Sequence, residues 1–134
     1  MPICKTPSRC LRGSVALAVL VMVMAAKSGW AQAPPRLETA LQQMLAALQT
    51  NAYDPFVDQG DPQFKSGFTA KMFADLSRRL GPRLQQGYKT TYLCRLNQQG
   101  YVVHVWKLEF KDEGDDHLVS LFTKEGKISG FVPR

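Results

Sequence analysis

Two histidines, one acidic run and a few aromatic side chains hold most of the chemistry open to this chain of 134 residues. The run Lys111-Asp-Glu-Gly-Asp-Asp-His117 gathers four carboxylates and an imidazole. A calcium loop of the EF-hand kind needs oxygen ligands at alternating positions, a central glycine and a glutamate at the twelfth place. The run lacks that spacing. Zinc asks for several His or Cys ligands, and the two histidines, His104 and His117, stand thirteen positions apart. With Gly114 as the tip of a hairpin, His104 would face position 124 and His117 position 111, several steps out of register. No metal site is expected. Asp and Gly suit a chain reversal, so the run reads as a charged, solvent-exposed turn that sets the register of two strands.

His104 is the stronger candidate. It lies inside Tyr101-Val-Val-His-Val-Trp-Lys-Leu-Glu-Phe110, on the alternating face that also carries Val102, Trp106, Leu108 and Phe110. An imidazole is the side chain able to trade a proton near neutral pH, but it needs a carboxylate to orient it. Asp54, Asp58 and Asp61 are the available carboxylates, with Asp58 as the candidate partner. Against this stands a plainer reading, a core histidine satisfied by a neighbour. Tyr53, Tyr92 and Trp106, with His104, could wall an apolar pocket with polar tips or simply fill the core; both readings stay open. Cys94 has no activating partner nearby in sequence and reads as a small buried hydrophobe. G-x-S-x-G, Walker, C-x-x-C and H-E-x-x-H patterns are absent, so no cofactor is implied.

Two helices and four strands must position these residues. Leu37, Ala40, Leu41, Met44, Leu45 and Leu48 recur at the spacing of one helix face, and Asn51 is a plausible stop. Residues 51–67, with two Asp-Pro pairs and Gly60, read as loop with a short helical turn at Pro55-Phe56-Val57. A second helix starts at Thr69, a good N-cap, and runs through Met72, Phe73, Leu76 and Leu80 to Gly81-Pro82, where it should end. Beyond that the period changes to two. Tyr88–Leu96 alternates with Tyr88, Thr90, Tyr92, Cys94 and Leu96 on one face, and Tyr101–Phe110 is the clearest strand. His117–Thr123 and Lys127–Val132 follow, joined by Lys124-Glu125-Gly126. Helices first and hairpin-linked strands after predict an α+β fold, with helices on a curved antiparallel sheet of about four strands.

The beginning of the chain reads as an address. Lys5, Arg9 and Arg12 precede the apolar run Val15–Ala26, and Ala31-Gln32-Ala33 offers a cleavage site for signal peptidase. Twelve apolar residues fall short of the roughly 20 needed to span a bilayer; the alternative is a retained anchor. Residues 1–33 are therefore expected to be a signal peptide and 34–134 a single domain, periplasmic or secreted, without stable membrane insertion after cleavage. The net charge of +6 comes from 17 basic and 11 acidic residues. Removing Lys5, Arg9, Arg12 and Lys27 leaves 13 − 11 = +2. The basic cluster Arg78, Arg79 and Arg83 reads as a solvated helix face, and nucleic acid is not an expected partner. Cys4 and Cys10 leave with the signal, so Cys94 alone remains and no internal disulfide is expected.

Phe68-Thr-Ala-Lys-Met-Phe73, Trp106-Lys-Leu-Glu-Phe110 and Glu125-Gly-Lys-Ile-Ser-Gly-Phe131 resemble segments of the nuclear transport factor 2-like superfamily. In particular they resemble small exported bacterial domains of unassigned role. The resemblance spans about Leu37–Val132 and implies a sheet curled into a cone around a pocket. Catalytic members use a His–Asp or Tyr–Asp pair in that pocket, and no such pair matches here residue by residue. Fold alone does not assign function. The expectation is an exported domain that binds a ligand or an envelope partner, homodimeric through the half-apolar outer face of Tyr101–Val105. The alternative is a small periplasmic enzyme using His104 with a loop Asp.

Overall fold

The computed structural model describes residues 31–134; the expected signal, apart from its last three residues, lies outside them. Four helices precede four strands: α1 Pro35–Thr50, α2 Tyr53–Val57, α3 Pro62–Gly67, α4 Ala70–Gln85, β1 Tyr88–Gln98, β2 Tyr101–Phe110, β3 His117–Lys124 and β4 Lys127–Pro133. The strands form one antiparallel sheet in the order β1-β2-β3-β4, as a chain of hairpins. This is the α+β arrangement that the change of period implies. No described helix is long and apolar enough to cross a membrane.

The apolar stripe of α1 is buried as its spacing requires: Ala40, Leu41, Met44, Leu45 and Leu48 all face inward. The helix stops where Asn51 takes a left-handed conformation, φ 52°. Thr69 caps α4 by accepting the Met72 N–H at 3.2 Å. Phe56 sits fully buried among Phe64, Phe68, Phe73 and Phe131, tying the two short helices to the sheet. α3 was not expected from the sequence. Asp61 caps it by accepting the Phe64 N–H, and Pro62 fits its first turn.

α4 does not end at Gly81-Pro82; it continues to Gln85 with Pro82 inside it. Tertiary bonds hold this last turn. Gln49 donates to the Leu84 carbonyl at 3.0 Å, and Gln85 donates to the Gln49 carbonyl at 2.7 Å. Gly81 serves a packing purpose, since a Cβ there would stand 3.0 Å from the Leu48 carbonyl oxygen. The buried Ser77 hydroxyl donates to that same oxygen at 2.7 Å.

Two hairpins are closed by two-residue turns, Gln99-Gly100 and Glu125-Gly126, with positive φ at all four positions. That backbone twist matches the twist of the flanking strands. The third connection, residues 111–116, shifts the register from the one expected. His104 pairs with Leu121 and His117 with Leu108, three positions from the pairing that Gly114 as tip would give. The left-handed residue is Glu113, φ 59°, and not Gly114. β1 departs from simple alternation as well. A bulge between Tyr92 and Cys94 inserts Leu93, so Tyr88, Thr90 and Tyr92 face the helices while Cys94 and Leu96 pair with Val105 and Val103 on the opposite face. The expected common face for all five is thereby split.

Candidate functional site

β1 and β2 bring three of the four candidate pocket residues together beneath α1. Tyr92 and Trp106 are paired across the strands, with ring centroids 5.2 Å apart, and His104 is one inward step along from Trp106, at 6.1 Å. The Tyr92 hydroxyl and His104 Nδ1 share a hydrogen bond of 3.0 Å. Tyr53 is elsewhere. It lies at the start of α2, donates to the Phe68 carbonyl at 2.7 Å and meets the Phe73 ring edge-on.

The inner face carries a polar seam that sequence reasoning passed over. Trp106, wholly buried, donates its indole N–H to Glu38 Oε2 at 2.8 Å. Gln42, one helical turn on, donates to Glu38 Oε1 at 3.0 Å and to Thr90 Oγ1 at 2.9 Å, and accepts from the Tyr88 hydroxyl at 3.2 Å. Among the described residues no buried side-chain polar atom lacks a partner. The seam therefore satisfies the groups that burial would otherwise penalise. One signal for it was present: Glu38 and Gln42 sit four apart, flanking the Leu37–Leu41–Leu45 stripe.

The electrostatics leave the His104–Tyr92 pair neutral. Burial lowers the pKa of His104 and the nearby Arg95 lowers it further. Burial raises the pKa of Tyr92, and the Cys94 thiol adds to the rise while Arg95 opposes it. Both protons are thus held in their uncharged forms near neutral pH. Acid–base work by His104 needs an orienting carboxylate, and the loop supplies none. Asp58 is exposed and bonds Lys65 at 2.7 Å. Asp61 is spent on the Phe64 N–H and the Ser129 hydroxyl, bonds that lower its pKa. The pairing of His104 with Asp58 is not formed. At 5% exposure, His104 is instead a core residue with a phenol as its partner.

The acidic run is also not the free tip it resembled. Arg83, in the last turn of α4, clasps it: Nε and Nη2 donate to both oxygens of Asp112 at 2.7 and 3.1 Å, and Nη2 also to the Asp115 carbonyl at 3.0 Å. The guanidinium lies 3.8 Å above the Phe110 ring. Its Nη1 stands 3.1 Å from His117 Nε2, and since arginine only donates, His117 accepts there. Hydrogen bonds from Arg83 and from the Gly114 N–H hold the Asp112 pKa down at about 2. The expectation of Arg83 as part of a solvated basic face is corrected: continuing α4 past Pro82 turns it toward the sheet. Among the described residues no group of three or more His, Cys, Asp or Glu gathers as a metal site would require.

Among the described residues, no helix lies over the other face of the sheet. In register across it run Leu96–Val103–Phe122–Gly130 and, beside them, Cys94–Val105–Ser120–Val132, with Leu118 opposite Lys107 in the next row. On this face Leu96 and Leu118 are 43% and 44% exposed; among the described residues the other exposed large hydrophobics are the bulged Leu93 and Met72 on α4. A solvated antiparallel face is ordinarily polar at alternate positions. Charge collects toward both ends: at one, Lys107 bonds both Glu109 and Asp116 at 3.0 Å and Arg134 pairs with Leu118, and at the other Lys124 pairs with Lys127 and lies over the Tyr101 ring. A groove of about 670 Å³ lies elsewhere, between the first turns of α1, the Gly60–Pro62 segment and the β3–β4 hairpin. His104, Tyr92, Trp106 and Tyr53 do not line it.

No family model matches the chain, and no curated protein matches it. Among solved structures it is similar to an uncharacterized cystatin fold protein from Novosphingobium aromaticivorans, at 14% identity over 76% of this chain and 99% of that one, with a TM-score of 0.39. These likenesses assign the chain neither a family nor an activity.

Proposed function

We propose that the chain is an exported, non-enzymatic binding domain whose working surface is the uncovered apolar face of the sheet. One observation carries the reading: Leu96 and Leu118 stand exposed on a sheet face that no described element covers, around a row containing the nearly buried Val103. A contiguous apolar face of this kind marks a contact surface more often than a free one. The inner face supports the reading by contrast, because its polar atoms are paired with one another and its histidine is held neutral beside a phenol. Kinship with the nuclear transport factor 2-like superfamily belongs to the same proposal and rests on the sequence resemblance alone. The enzyme alternative has no specific observation in its favour, since Asp58 is engaged with Lys65.

Cys94 offers a test, because it lies on the outer face, opposite Val105. Its alkylation is to be compared in the dilute purified protein and in the intact envelope fraction. A working face covered by a partner protects Cys94 in the envelope and leaves it reactive when dilute. Equal labelling in both would refute the reading.

A further inference from the structure

Independently of the outer face, we infer that the groove between α1, the Gly60–Pro62 segment and the β3–β4 hairpin binds a small organic anion, one carboxylate on a short apolar body. Its walls are held in place by bonds of the fold. Arg36, Thr39, Ala40 and Gln43 line it from α1, at the three- and four-residue spacing of one helix face. The second wall is tied to the sheet: the Asp61 N–H donates to the Ile128 carbonyl at 2.8 Å, and Gly60 and Ile128 form a parallel bridge. Gly60 is needed for that approach, because a Cβ there would run into the Phe64 ring. The volume, about 670 Å³, falls inside the roughly 300–1,000 Å³ typical of small-molecule sites.

Charge selects the ligand. Two cations line the groove, Arg36 and Lys127, and among the described residues neither has an ion pair. The one carboxylate in the lining, Asp61, has both oxygens engaged, by the Phe64 N–H at 2.7 Å and the Ser129 hydroxyl at 2.8 Å. Glu38, close to Arg36 in sequence, is held on the inner face by Trp106 and Gln42. Lys127 stands near enough to help keep Asp61 ionised. Counting Asp61 fully against it, the lining keeps 2 − 1 = +1. A ligand with one negative charge balances that excess, and a cation is repelled. Carbon supplies the remainder, from Pro35, Leu37, Ala40, Pro62 and Ile128. An inorganic anion would leave those side chains uncovered, whereas a short hydrocarbon body covers them while its carboxylate meets the Arg36 fork. Both cations are solvent-exposed, so the binding is weak and falls with added salt.

The test is an amide NMR titration of residues 31–134 with hexanoate at pH 7 and low salt, beside 1-hexanol and beside the R36Q/K127Q double variant. Both cations are exposed and without ion pairs, so the variant should keep the fold, which its own spectrum checks. The inference expects saturable shifts at residues 36–43, 59–62 and 126–128, with a dissociation constant in the millimolar range or below. The double variant, and hexanol in place of hexanoate, should each bind at least about fivefold more weakly. No saturable shift up to about 50 mM hexanoate overturns the inference. Equal affinity in the double variant, or equal affinity for hexanol, overturns the role of the two cations and with it the anion. Shifts confined to the rows of Leu96 and Leu118 overturn the location, because the outer face would then be taking the hydrocarbon.

Discussion

Replacing Glu38 by alanine probes how the inner face is closed. The Trp106 side chain is fully buried and its indole N–H has one partner, Glu38 Oε2 at 2.8 Å, so E38A leaves a buried donor without its acceptor. An unsatisfied buried donor costs about 1–3 kcal/mol, and the hydrogen bond from Gln42 to Glu38 is lost with it. Taking about 2 kcal/mol and the roughly 4–8 °C per kcal/mol of a domain this size, the melting temperature should fall by about 8–16 °C. Glu38→Gln keeps an oxygen acceptor in place and should recover at least half of that loss. In a protein made without residues 1–33, Trp106 is the remaining tryptophan and the one that reports. Differential scanning calorimetry gives the stability, and tryptophan emission gives the environment of the indole. An E38A protein melting within about 2 °C of the natural chain, with unmoved emission, would refute the placement of α1 over the sheet.

Three further outcomes follow from the same geometry. His104 has its pKa lowered in the folded chain, so its contribution is fully present above the unfolded value near 6.5 and is lost as pH falls through the folded one. Stability measured by urea titration should decline from pH 7 toward pH 5, and His104→Gln should flatten that decline. Ser77→Ala removes the buried bond to the Leu48 carbonyl and should cost about 1 kcal/mol, read from the shift in urea midpoint. Arg83→Ala frees the 111–116 connection from α4, which amide exchange should register as faster exchange in that segment with the β2–β3 ladder unchanged. The Asp112 side of this clasp is at full strength above pH 4 and fails as pH falls toward about 2.

Periodicity made most of the fold legible. The α1 stripe, the Thr69 cap, the left-handed stop at Asn51 and all four strands follow from spacing and residue type. What spacing could not reveal depends on contacts between distant segments. Pro82 reads as a helix end until Gln49 and Gln85 are seen securing the last turn. Leu93 looks like an ordinary strand residue, yet as a bulge it moves Cys94 and Leu96 to the face away from the helices. Gly114 suggested a symmetric tip, but Arg83 fixes the connection three positions away from that symmetry.

The candidate site was legible in part. The sequence placed Tyr92, His104 and Trp106 on one face, and the fold brings them together. It could not supply the helix partners, because Glu38 reaches Trp106 from 68 positions away and Gln42 reaches the neighbouring Thr90 from 48. Those partners change the meaning of the cluster. A set of side chains that could have done chemistry is a satisfied core seam, and the unsatisfied surface lies on the other side of the sheet.

The central claim is that this outer face is what the protein uses. A photoreactive phenylalanine analogue placed at Leu118, and separately at Lys71 on exposed α4 as control, can be irradiated in intact cells. A crosslinked product is expected from position 118 and none from position 71. No product from position 118, or equal products from both positions, would contradict it.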